Sequence, residues 1–133
     1  MNQPVPQSLR AWFIVHFVID MLVAIPVFFF PHWFLSLLGW ESVDLVMTRI
    51  VGAAFFGIGI ESYLGRNAGL EAYKGMLNLK IIWSATAILG ISWSFFEGTE
   101  GDPLWIVLTI ATFVVFHVNW VYWRIRVGRL LIG

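Results

Sequence analysis

The chain alternates long apolar stretches with short polar breaks. Between Trp12 and Phe30, "WFIVHFVIDMLVAIPVFFF" is interrupted only by His16 and Asp20. A helix that crosses a bilayer needs about 20 mostly apolar residues, and four stretches meet that requirement: 9–30, 43–65, 75–96 and 104–123. Pro31 is expected to stop the first helix and Pro26 to kink its last turns. "PHWFLSLLGW" (31–40) is too short to cross and reads as a turn or two of helix lying in the interface. "RNAGLEAYK" and "EGTEGDP" read as short loops, which make sequential helices antiparallel neighbours. The predicted fold is all-α: an integral membrane antiparallel four-helix bundle, one domain over 1–133, with a short interfacial helix after the first span.

Composition agrees. Hydrophobic residues are 59% of the chain and charged residues 12%, about half the usual soluble share, so a bilayer is the natural solvent. The first apolar run is too long for the core of a signal peptide, and no small-x-small cleavage site follows it, so it reads as a retained helix. With no cysteine, disulfide and thiolate chemistry are excluded. Zero formal net charge argues against a nucleic-acid partner. Arg10, Arg66, Lys74, Arg124, Arg126 and Arg129 fall on one side of the four spans; Glu41, Asp44, Glu97, Glu100 and Asp102 fall on the other. This positive-inside pattern predicts a multi-pass protein of the cell membrane with both termini cytoplasmic. Trp12, Trp120 and Trp123 would mark the inner interface, and Trp33, Trp40, Trp93 and Trp105 the outer one.

Orientation gives depth at about 1.5 Å per residue: Asp20 lies roughly 16 Å from the inner boundary and Arg49 roughly 9 Å below the outer one. Glu61 and Lys80 both lie within about 8 Å of the inner boundary. Two opposite-charge pairs are therefore expected, Asp20–Arg49 and Glu61–Lys80, because an isolated charge in hydrocarbon is costly. Such pairs either pin helix register or belong to a proton, ion or ligand site. Arg49, Ala53, Gly57, Glu61 and Gly65 recur every four residues and suggest a close-packing stripe. Thr109, Thr112, Phe116, Asn119 and Trp123 suggest an interior seam. His16 and Asp20 share a helix face, as do Lys80 and Ser84. His16, Glu61, Asn78, Lys80, His117 and Asn119 should all lie within about 12 Å of the cytoplasmic boundary and form a candidate polar pocket. No metal site is expected, since two histidines on separate helices lack ligand spacing.

Three segments carry a family resemblance: "FLSLLGW" after the first span, "RIVGAAFFGIGIESYLGR" as the second span and "MLNLKIIWS" opening the third. A short interfacial helix ending in Leu-Gly, followed by an arginine-led, glycine-rich span, resembles the DoxX-like and related small four-helix membrane proteins of bacteria and archaea. DoxX itself is associated with a terminal quinol oxidase complex, and other relatives occur alongside redox and detoxification proteins. The resemblance implies a small accessory membrane subunit and supplies no catalytic residue.

No catalytic serine–histidine–acid spacing, phosphate loop or zinc-helix motif is present, and the sequence names no cofactor. The reading that follows is an accessory or ligand-binding membrane protein whose charge-paired interior holds a lipophilic molecule, quinone-like or lipid, or docks a larger complex. The alternative is an oligomeric ion, proton or small-solute transporter or channel, with a homo-oligomer forming the path. A second alternative, an intramembrane acid–base enzyme, would use Glu61 or Asp20 with a histidine.

Overall fold

A computed structural model describes residues 4–133. Its elements are α1 (Gln7–Phe29), α2 (Pro31–Leu37), α3 (Leu45–Leu64), a 3-10 turn (Gly65–Asn67), α4 (Leu70–Glu97) and α5 (Pro103–Ile132). No strand occurs among the described residues. Four helical segments are long and apolar enough to span a membrane, and large apolar side chains such as Leu22, Ile82, Leu89 and Val115 stand exposed along them.

The boundaries depart from the apolar runs in one informative way. α4 begins five residues before the expected span, and α5 continues nine residues past its expected end. Hydrocarbon thickness limits an apolar run, but backbone hydrogen bonding carries a helix on into water. "RNAGLEAYK" is therefore mostly helical rather than a loop, with Ala68 and Gly69 as the break.

The chain forms two compact units. One contains residues 4–9, α4 and α5. Here Asn78 meets Arg124, Lys80 meets Trp120 and Ser84 meets His117, the descending register of an antiparallel pair. α4 ends on Gly98 in the left-handed conformation (φ 84°), where Gly98 N–H and Thr99 N–H return to the Phe95 and Ser94 carbonyls. The other unit contains Arg10–Arg66 and Glu100–Asp102. In it α1 and α3 are antiparallel: Phe17 stacks near Tyr63 (4.9 Å between centroids), Asp20 faces Gly59 and Phe28 faces Gly52. Asp44 caps α3, its carboxylate accepting from Met47 N–H at 2.9 Å.

The close-packed face of α3 is thus Gly52, Gly59 and Ser62, all buried, and not the expected every-fourth stripe. Arg49, Ala53, Gly57 and Glu61 are exposed. Four residues turn a helix by 400°, so a strict four-residue repeat drifts around the surface, whereas a 3-4 alternation stays on one side. Likewise on α5 the expected seam holds only in part. Phe116 and Trp123 are buried, but Thr109 and Thr112 are exposed. Their hydroxyls return to the Trp105 and Leu108 carbonyls at 2.8 Å, which satisfies them without an interior partner. Trp120 and Trp123 are core residues, 1% and 5% exposed, rather than interface anchors.

The acidic loops do local structural work. Ser42 donates to Glu100 through both its backbone N–H (3.1 Å) and its hydroxyl (2.8 Å). Beside this contact Asp102 N–H reaches the Leu38 carbonyl, and the Trp40 ring lies where a Cβ on Gly101 would stand. Gly39 and Gly101 have φ of 87° and 106°, which only glycine adopts without strain. The backbone and then the side chain of Ser42 hold the Glu100 carboxyl below its ordinary value. A depressed carboxylate stabilises the fold above its unfolded pKa and loses that contribution as pH falls through the folded one. Thermal melting in detergent should therefore show wild type more stable than Glu100→Gln at neutral pH. The gap should close as pH drops below the normal carboxylate range; a gap constant with pH would contradict the assignment.

Candidate functional site

Each unit buries polar groups in the middle of apolar helices. On α1, His16 and Asp20 are one turn apart and both buried, with His16 Nδ1 at 2.9 Å from Asp20 Oδ2. Oδ2 is enclosed and has no hydrogen-bond partner among the described residues, so its approach to His16 is a close ion-pair distance without hydrogen-bond geometry. Asp20 lies against Gly59: a Cβ there would stand 2.7 Å from Asp20 Cβ and 3.2 Å from Oδ2. The α3 backbone therefore closes over the pair.

Asp20 does not pair with Arg49. Asp20 sits opposite Gly59, ten residues along α3 from Arg49, or about 15 Å of helix. Arg49 is exposed near the C-terminal end of α1, its Nε directed at the Phe28 carbonyl at 3.4 Å. Phe28 is among the last four residues of α1, whose carbonyls lack intrahelical donors, so a cation there also suits the helix dipole. α3 extends past the end of α1, with Gly52 already level with Phe28, so equal distances from assumed boundaries are not equal levels.

On α4, Lys80 and Ser84 are buried, 3% and 2% exposed. The Lys80 ammonium lies 5.1 Å from the centre of the Trp120 ring, a cation–π distance. Ser84 Oγ is 2.7 Å from the Lys80 carbonyl and 2.8 Å from His117 Nδ1. A hydroxyl has one proton. The short bond to the carbonyl four residues back takes it, so the geometry has His117 Nδ1–H donating to Ser84 Oγ and leaves Nε2 as the ring's other polar atom. This polarity is opposite to that of a serine nucleophile with a histidine base. His117 is half-buried, and Nε2 has no hydrogen-bond partner among the described residues. On the same helix Asn119 Nδ2 is enclosed and unpartnered among the described residues, a donor whose desolvation costs about 1–3 kcal/mol.

Of the six residues expected to form one polar pocket, the structure buries His16 and Lys80 and half-buries His117 and Asn119. Glu61 is exposed on α3, and Asn78 is exposed on α4 with its amide oxygen accepting from Arg124 Nε at 2.6 Å. The expected Glu61–Lys80 partners thus occupy contrasting environments, one exposed and one buried. Sequence reasoning noted that His16 and Asp20 share a face, as do Lys80 and Ser84; it missed the Ser84–His117 bond, which spans two helices. No group of three or more potential metal ligands gathers among the described residues. Comparison with known protein families, with functionally described proteins and with solved structures finds no match to this chain.

Proposed function

We propose that this chain is a small multi-pass membrane subunit, both termini cytoplasmic, that holds an amphipathic ligand at polar groups between its helices. The observation that carries this reading is the orientation of His117. Its Nδ1 is held by Ser84, which leaves Nε2 of a half-buried ring to meet a ligand. Such a group suits a hydroxyl on a lipophilic molecule, quinol-like or a lipid alcohol. The unpaired Asn119 amide is a donor on the same helix. The resemblance to DoxX-like accessory subunits points the same way, as an analogy of fold.

Native mass spectrometry of the protein released from lipid nanodiscs with an added short-chain benzoquinol tests it. One hydrogen bond to an otherwise unpaired ring nitrogen corresponds to about a tenfold change in affinity. The quinol adduct should weaken by that amount in His117→Leu and less in Ser84→Ala. Equal adducts in wild type and His117→Leu would end this reading. The second reading, proton or ion translocation, is favoured by the His16–Asp20 pair, since intramembrane ionisable residues commonly mark such paths. It requires proteoliposomes to dissipate a pH gradient and Asp20→Asn to stop them.

A further inference from the structure

The inner end of the α4–α5 hairpin carries an arrangement that the interior site does not use. Arg124 is tied to α4 by its Nε bond to Asn78 Oδ1 at 2.6 Å. Asn78 is neutral, so it orients the guanidinium without cancelling its charge. An arginine has five N–H donors, and the other four on Arg124 have no partner among the described residues. One turn further along α5, Gly128 leaves a gap: a Cβ there would find only Arg124 Nη1, at 3.4 Å, within 4 Å. Lys74 is one turn from Asn78 on α4, and the register that sets Asn78 against Arg124 brings Lys74 to the level of Gly128. Its acidic neighbour Glu71 is 3.8 Å away and three-quarters exposed, too distant for a hydrogen bond and well screened.

We propose that Lys74, Asn78, Arg124 and Gly128 form a notch that binds the phosphate of an anionic phospholipid headgroup. Arg124 lies 21 residues into α5, about 32 Å from its start, which matches a hydrocarbon core of about 30 Å. The guanidinium therefore stands at headgroup level. Guanidinium and ammonium groups around an open glycine surface provide the donors that phosphate oxygens accept from. Neighbouring Arg126 is held differently, Nη1 on the Tyr122 hydroxyl at 2.8 Å with the Trp123 ring 5.6 Å away. Exposed Arg129 adds long-range attraction only.

This inference rests on the multi-pass reading, and one experiment separates their failures. Protein in nanodiscs of mixed phosphatidylglycerol and phosphatidylcholine is released for native mass spectrometry, and the retained lipid is weighed. Wild type should retain phosphatidylglycerol at least about fivefold over phosphatidylcholine, two or more charge-assisted bonds being ample for that ratio. Arg124→Gln and Gly128→Leu should abolish the preference, the second without changing charge. Arg124→Lys, which keeps charge but loses the bond to Asn78, should fall between, and Arg129→Gln should match wild type. Melting temperatures of the variants identify any that fail to fold, and Arg124→Lys then decides. A preference that survives in Arg124→Gln or Gly128→Leu, or that stays at the wild-type level in Arg124→Lys, overturns the notch. Displacement of the lipid by millimolar glycerol phosphate overturns the lipid as its occupant in favour of a soluble phosphate. Should the chain instead be extracted from bilayers by alkaline carbonate, the membrane reading itself falls.

Discussion

His16→Leu is expected to destabilise the protein by about 3 kcal/mol, the cost of leaving a buried carboxyl without its close polar partner. Asp20 Oδ2 is enclosed, and its ion-pair partner among the described residues is His16, Nδ1 at 2.9 Å. Leucine fills similar space but leaves the buried carboxyl without its polar neighbour. The reciprocal change should be much milder. In Asp20→Asn a polar group of the same shape stays beside the imidazole, so a loss of about 1 kcal/mol is expected. This asymmetry distinguishes the His16 partner from Arg49, because an Arg49 partner would make Asp20→Asn the damaging change. Removing both groups, His16→Leu with Asp20→Leu, should recover part of the loss, with a coupling of about 2 kcal/mol in a double-mutant cycle. Thermal and denaturant unfolding in detergent measure it. Additive losses, or an Asp20→Asn defect as large as that of His16→Leu, would refute the pair.

Gly59→Val should cost about 2–3 kcal/mol, while Gly57→Val, two residues away, should have little effect. A Cβ at position 59 would stand 2.7 Å from both Asp20 Cβ and Met21 Cε. The methionine terminus can move; Asp20 Cβ is fixed to the α1 backbone and cannot yield without parting the helices. Overpacking of that kind typically costs about 1–3 kcal/mol, and separation of α1 from α3 also loosens the enclosure of Asp20. Nothing lies within 4 Å of a Cβ at Gly57. Comparative melting of the two variants decides this, and equal losses would mean that α1 and α3 do not meet at Gly59. Ala at position 57 should be neutral or stabilising by up to about 1 kcal/mol, from helix propensity alone.

The sequence by itself determined the helices and their class. Runs of about 20 apolar residues with polar breaks have few structural solutions, and each long helix appears where its run predicts it. Chemistry local to one helix was equally legible. His16 and Asp20 lie four apart, and helix geometry alone places such residues on one face. What the sequence did not determine was which faces meet. Arg49 and Asp20 seemed matched in depth because each was measured from its own assumed boundary, yet the level of one helix against another is set by close approach at Gly52 and Gly59. The every-fourth small residues of α3 pointed to the wrong side for the same reason, since glycine marks a contact only where a neighbouring backbone arrives. On α5, Trp120 and Trp123 carry the composition of an interface belt, but packing made them core. The bonds from Ser84 to His117 and from Asn78 to Arg124 join residues 33 and 46 apart in sequence. No periodicity within one helix encodes them; only the antiparallel register of α4 and α5 brings those side chains within reach.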